Sequence, residues 1–224
     1  MSTRLRIAVL ASGRGSNLQA LIDAQRNGRL PIEVVLVASD KAHAAALRRA
    51  EDAGIATLAL DPKSYADRAA FDADLFARVA ACEPDLIVLA GFMRILSPDV
   101  LAPWAGHIIN IHPSLLPKYR GLHTHRRALG AGDPTHGASV HYVTAELDSG
   151  PTIAQIEIPI VASDTPDALA SRLLGREHEL LVASVALIAS GRVALADSRV
   201  VYDGAALTAP LLLGEDGTLA PRTA

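Results

Sequence analysis

The sequence predicts an open, mostly parallel, twisted α/β sheet with helices on both faces, followed by a C-terminal extended segment and a long helix. Three observations carry this expectation. Short apolar runs alternate with stretches of helical spacing along the first half of the chain. Those runs are continuously apolar rather than alternating, the mark of parallel strands buried on both faces. Half of the 224 residues are hydrophobic but only 4% are aromatic, so Ala, Leu, Val and Ile must fill the core, as they do where helices pack on a sheet.

The elements follow in order. Residues 5–11 (LRIAVLA) read as a buried strand that runs into glycines. A helix starts near Asn17, with Leu18, Leu21 and Ile22 on one face and Gly28 as its stop. Residues 32–38 form a second strand, 42–53 a helix stopped by Gly54, and 55–60 a third strand. Phe71, Leu75, Phe76 and Val79 share a helix face that ends before Pro84. Residues 85–90 (DLIVLA) and 107–111 are further strands. Beyond Pro113 the rhythm changes: a loop over 114–121, a short helix over 124–129, then extended segments over 137–143 and 152–160 joined by a turn-rich Leu147-Asp148-Ser149-Gly150-Pro151. A long helix spans 166–190, with Thr165 as N-cap, Pro166 in its first turn and Gly191 past its end. Residues 1–202 read as one domain and 203–224 as a turn-rich tail.

Composition narrows the class. The single cysteine, Cys82, rules out an internal disulfide framework and reads as a small buried residue. No apolar run reaches the roughly 18 residues of a membrane span, and the apolar run at residues 7–11 is too brief for a signal core, so a cytoplasmic protein with no membrane partner is expected. A formal charge of −3 gives no global pull toward nucleic acid, and anionic ligands must be held by local groups.

Two clusters carry chemistry. Ser12-Gly13-Arg14-Gly15-Ser16-Asn17 lies between the first strand and its helix, where free N–H groups attract anions. With Asp40 after the second strand it approaches a dinucleotide fingerprint, but Leu18 occupies the third glycine position and no P-loop lysine follows. A phosphate-monoester site and a plain turn capped by Asn both fit. The second cluster is Asn110 and His112, two apart and therefore on one face at the carboxyl end of a strand, where ligands bind in such sheets. Pro113 holds His112 extended. A hydrogen-bonded core histidine is the alternative for His112, and an ordinary turn residue is the alternative for Asp148. Asp148 gains interest as a carboxylate that orients or charges His112. Six of the eight histidines lie between His107 and His141, but His123 and His125 have no accompanying ligand spacing, so no metal is expected.

Four strings occur in order: the glycine loop, Gly91-Phe92-Met93-Arg94-Ile95-Leu96, Asn110-Ile111-His112-Pro113-Ser114-Leu115-Leu116-Pro117, and Glu146-Leu147-Asp148-Ser149-Gly150. Over residues 4–191 the chain resembles the folate-dependent formyltransferase family, in particular its phosphoribosylglycinamide branch. The resemblance implies a Rossmann-related formyltransferase fold. It also implies transfer of a formyl group from 10-formyltetrahydrofolate to the amine of glycinamide ribonucleotide in purine biosynthesis, with no metal. It implies catalytic roles for Asn110, His112 and Asp148, and ribonucleotide contacts from Gly15, Ser16 and Asn17 and from Leu174, Gly175, Arg176 and Glu177. It implies folate contacts from Arg68, from Met93, Arg94, Ile95 and Leu96, from Asn110, and from Thr144, Ala145, Glu146, Leu147 and Asp148. Ala145 stands where relatives often carry an acid and Arg120 where proline is common. For Glu177 and His178, which interrupt the apolar stripe of Leu174, Leu181 and Val185, a solvent-facing helix edge competes.

The rival readings are methionyl-tRNA formyltransferase, formyltetrahydrofolate deformylase and a nucleotide-binding oxidoreductase. The first is disfavoured by a tail too short for a tRNA domain, the second by a chain that starts directly on the first strand, the third by Leu18.

Overall fold

The computed structural model describes residues 4–222. The chain divides into two compact units, residues 1–110 and 111–224.

In the first unit β1 (Leu5–Leu10), β2 (Ile32–Ser39), β3 (Thr57–Ala59), β4 (Leu86–Leu89) and β5 (Ile108–His112, which runs on past Asn110) form parallel pairs in the order β5-β4-β1-β2-β3. The sheet thus grows from β1 in both directions, which makes the carboxyl ends beside β1 a topological switch point. Ile7, Val9 and Leu10 of β1 and Ile87 and Val88 of β4 have no exposed surface, as continuous apolar strands require. The connecting helices are α1 (Ser16–Arg26), α2 (Ala45–Asp52), α3 (Arg68–Ala80) and the single turn α4 (Pro98–Leu101). Asp67 caps α3, its carboxylate accepting from the Ala70 N–H at 2.8 Å.

Helix α2 is shorter than the expected 42–53. The Ala46 N–H donates to the Gly13 carbonyl at 3.1 Å, so the chain between Asp40 and Ala44 closes on the glycine loop before the helix begins. The third strand is likewise trimmed to three residues, and β5 extends one residue beyond expectation to include His112.

In the second unit α5 (Thr124–Ala131) leads into an antiparallel pair, β6 (Thr135–Tyr142) and β7 (Thr152–Pro159). Helix α6 (Pro166–Ala189) lies on this pair, and its Thr165 cap accepts from the Ala168 N–H at 3.2 Å. Five short strands follow: β8 (Val193–Ala196), β9 (Arg199–Tyr202), β10 (Ala205–Ala206), β11 (Leu211–Leu213) and β12 (Leu219–Ala220). Beyond residue 203 the sequence predicted only turns. The structure instead pairs β11 with β7 in parallel, burying Leu211 and Leu213. Three leucines carry no readable period, and only the exposed edge of β7 gives them a strand to join.

Two close approaches fix β6. A Cβ on Gly137 would sit 1.9 Å from the Ile156 carbonyl oxygen and 2.7 Å from the Leu115 side chain, whereas one on Gly130 in α5 would meet nothing. Gly137→Ala is therefore expected to destabilise the chain by roughly 1–3 kcal/mol through overpacking. Gly130→Ala should stabilise it by roughly 0.5–1 kcal/mol through helix propensity. Urea midpoints of the two variants check this, and movement in the same direction would refute it.

Candidate active site

Asn110 is half-buried and registers opposite Leu89 of β4. His112, two residues on, is 6% exposed. From there the chain turns at Pro113 and runs through a loop held by buried hydrogen bonds. The Ser139 hydroxyl donates to the Ser114 carbonyl at 2.7 Å and accepts from the Leu116 N–H at 3.0 Å. The Gln155 amide donates to the Leu116 carbonyl at 2.8 Å and to the Ser139 hydroxyl at 3.0 Å. Farther along, Lys118 and the Tyr119 hydroxyl both bind the Asp133 carboxylate, at 3.0 and 2.7 Å. Those two bonds hold the Asp133 carboxyl below its usual range, the tyrosine first and the lysine second.

His112 faces two acceptors, one from this loop and one from the turn after β6. Its Nε2 faces the Tyr119 carbonyl at 3.0 Å, and its Nδ1 lies 3.5 Å from Asp148 Oδ2. The same carboxylate oxygen accepts from the Gly121 N–H at 2.8 Å. Asp148 sits in the left-handed region at φ 48°, and a Cβ on Gly150 would lie 1.8 Å from the Tyr142 carbonyl oxygen. A tight turn against the end of β6 thus aims the carboxylate at the imidazole.

Sequence reasoning did not foresee the rings around His112. His141 Nε2 lies 3.7 Å from Asp148 Oδ1, and its Nδ1 faces the Tyr142 carbonyl at 2.9 Å. Burial lowers its pKa, with the Tyr142 hydrogen bond and the Asp148 charge pulling the other way. His125 and His136 meet edge to face with centroids 4.8 Å apart. Burial, and then the His112 charge, lowers His125; burial, and then His125, lowers His136 to about 4. These rings are held neutral near pH 7, which leaves Asp148 facing His112 without a competing cation from them. No spacing signalled both rings: period two puts His136 and His141, five apart, on opposite faces of β6, and a register shift lies between Val140 and His141.

In the first unit, α1 begins at Gly15 (φ 70°) with no side-chain cap. The plain-turn reading needed an Asn cap, and Asn17 Oδ1 is buried without a partner instead. A Cβ on Gly15 would lie 2.7 Å from Ala46 Cα, so only glycine fits there. The loop is also tied to the next string, because the Ser12 hydroxyl accepts from the Met93 N–H at 2.8 Å. Met93 and Ile95 are exposed apolar side chains, while Leu96 is buried. Arg94 stacks on Phe71 at 4.6 Å with a buried Nε that has no hydrogen-bond partner, and Arg68 opens the helix that carries Phe71. An apolar ledge beside guanidinium donors suits an aromatic ligand with an anionic end.

The remaining expected residues lie on α6 and in the loop that leads to Asp148. On α6, Glu177 is buried, which disfavours the solvent-edge reading; Leu174 is half-buried and Gly175 exposed. Arg176 pairs with Glu179 and donates to the Gly214 carbonyl at 3.0 Å. In the loop before Asp148, Thr144, Ala145, Glu146 and Leu147 are exposed. Arg120 pairs with Glu146 at 2.9 Å, which gives this loop an ion pair that a proline at 120 would not supply.

A strand-end imidazole facing a carboxylate suits a group-transfer enzyme of the α/β type. Residues 5–185 match the family described as formyl transferase, and the chain belongs to that family. It is 47% identical over 200 residues to the phosphoribosylglycinamide formyltransferase of Escherichia coli, covering 89% of this chain and 94% of that protein. Among solved structures it is similar to the phosphoribosylglycinamide formyltransferase of Coxiella burnetii, with TM-score 0.88, 44% identity and coverage of 92% and 96%. The glycinamide ribonucleotide transformylase 1 of Symbiobacterium toebii gives TM-score 0.87, 43% identity and coverage of 90% and 95%. No described helix is long and apolar enough to cross a membrane.

The buried rings have a measurable consequence. An unfolded chain binds a proton at His136 near pH ~6.5, but the folded chain does so only near about 4. The stability this neutral ring contributes is complete above ~6.5 and is lost as pH falls from there toward about 4. Urea midpoints measured from pH 7 to 4.5 should fall with acid, and His136→Asn should flatten part of that slope. An unchanged slope in the variant would remove His136 from the acid response.

Proposed function

We propose that this chain transfers the formyl group of 10-formyltetrahydrofolate to the amine of 5′-phosphoribosylglycinamide, giving the N-formyl product and tetrahydrofolate. The observation that carries the reading is the approach of the His112 Nδ1 to the Asp148 carboxylate, 3.5 Å apart at the end of β5, two residues after Asn110. The similarity to phosphoribosylglycinamide formyltransferases over nearly the full length supports this substrate pair.

The roles follow from chemistry. The amine attacks the formyl carbon, and the carbonyl oxygen becomes an oxyanion. The Asn110 amide donates a hydrogen bond to it. His112 faces an acceptor at each ring nitrogen, the Tyr119 carbonyl and the Asp148 carboxylate, and a ring with a proton on both satisfies both. The developing oxyanion competes with the Tyr119 carbonyl for the Nε2 proton. When the tetrahedral species collapses, the C–N bond to folate breaks, the folate nitrogen gains a proton from His112, and the amine's surplus proton returns to the imidazole, which leaves the ring unchanged over the cycle. The uncapped start of α1, with Gly15, Ser16 and Asn17, holds the substrate phosphate. Leu174, Gly175, Arg176 and Glu177 belong to the same substrate's surroundings, with the Glu177 carboxylate suited to ribose hydroxyls. The folate lies along Met93, Arg94, Ile95 and Leu96 and the loop from Thr144 to Asp148, with Arg68 near its glutamate.

The decisive assay supplies glycinamide ribonucleotide and 10-formyltetrahydrofolate and follows tetrahydrofolate release. Absence of formylated ribonucleotide would overturn the reading. His112→Ala should lower kcat by ~10²–10⁴, the scale of a general acid–base group, in a variant whose folding is checked by circular dichroism. Near-normal turnover in the folded variant would take His112 out of the mechanism. Gly15→Val should raise KM for the ribonucleotide roughly tenfold or more by displacing the α1 start, while folate KM stays nearly constant. The reverse pattern would assign the loop to folate.

A further inference from the structure

One motif is not absorbed by formyl transfer: Asp40, which follows the end of β2, the strand end where nucleotide folds place a ribose-binding acid. It lines a cavity of about 790 Å³, within the range of small-molecule sites. The cavity opens where three adjacent strands end. Gly13 and Arg14 follow β1, Asp40 and Lys41 follow β2, and Pro62 and Lys63 follow β3. That is the carboxyl edge on one side of the switch point. Gly15, Ser16 and Asn17 are not part of its wall.

Charge and orphaned atoms narrow the occupant. Arg14, Lys41, Lys63 and Arg94 face only two carboxylates there, Asp40 and Asp61, so the cavity favours an anion. Asp61 is already engaged, accepting from the Lys63 N–H at 3.0 Å. Asp40 Oδ1 is buried with no hydrogen-bond partner, a costly state that a donor would relieve. A simple anion would be repelled by that oxygen. A ligand with hydroxyl donors at one end and a phosphate at the other satisfies both demands. Ala42, Ala44 and Pro62 add an uncharged wall, and the volume exceeds what a sugar phosphate fills. We propose that this cavity binds a ribonucleoside 5′-phosphate, with Asp40 accepting from the ribose hydroxyls and the lysine and arginine side chains holding the phosphate. Arg94 is shared with the proposed folate ledge, but none of the residues assigned to glycinamide ribonucleotide lines the cavity, and the test reads binding without turnover.

The test is equilibrium dialysis of the full chain against AMP, 2′-deoxy-AMP and ribose 5-phosphate. AMP should bind saturably. Binding should weaken roughly tenfold for 2′-deoxy-AMP and for Asp40→Asn, the scale of one hydrogen bond to a charged group. Lys63→Glu, at an exposed position that the fold does not need, should weaken AMP by more than that. The thermal midpoints of both variants and their kcat and KM for glycinamide ribonucleotide should match the parent. Any of four results would overturn the proposal: no saturable AMP binding, equal affinity for AMP and its 2′-deoxy form, ribose 5-phosphate binding as tightly as AMP, or AMP displaced competitively by glycinamide ribonucleotide.

Discussion

The Ser139 hydroxyl accepts from and donates to backbone groups of the loop that follows His112, and Gln155 bonds both that loop and the hydroxyl. Ser139 is fully buried and Gln155 nearly so, and each is satisfied by the other and by the loop. A buried polar pair of this kind tolerates only one loop position, because any other leaves several groups unpaired at a cost of ~1–3 kcal/mol each. Everything about His112 depends on it. The loop brings the Tyr119 carbonyl to one ring nitrogen and the Gly121 N–H to the carboxylate that faces the other. Asp133 then ties Lys118 and Tyr119 from outside, so the loop is held at its middle and at its far end.

The electrostatic setting follows from the same packing. His125, His136 and His141 are histidines by sequence but are held uncharged near neutral pH by burial. Asp148 therefore meets one imidazole whose other nitrogen is already committed to an acceptor, and a second that is kept neutral. Its left-handed backbone and the absence of a Cβ at Gly150 are the conformational conditions for that placement. A chain that relaxed either would turn the carboxylate away from the ring.

The glycine loop of the first unit serves two surfaces at once. One is the start of α1, where Gly15 presses on Ala46 and leaves no room for a side chain. The other is the cavity bounded by Gly13 and Arg14. Ser12 joins this loop to Met93 by a hydrogen bond of 2.8 Å, which ties the loop to the apolar ledge of Met93 and Ile95. The order of the strands explains the crowding: β1 is central to its unit, and every loop that leaves its carboxyl edge competes for the same space.

Much of this was legible in the residues. Continuous apolar runs gave the parallel strands, Thr165 and Pro166 gave the start of α6, and the period of two placed Asn110 and His112 on one face. These are local regularities, set by backbone geometry and burial within a few residues of the chain. The specific strings carried the family, since the Asn-x-His-Pro-Ser string is shared by folate-dependent formyltransferases and their relatives. What the tertiary structure alone decided is which distant groups meet. Asp148 reads as an ordinary turn residue until Gly150 presses against β6 and swings it to His112. Leu211 and Leu213 form a strand because β7 offers them an unpaired edge, and the hub of Ser139 and Gln155 joins positions that no spacing connects. Local sequence sets the torsions, but hydrogen bonds between residues tens of positions apart exist only once the chain has folded.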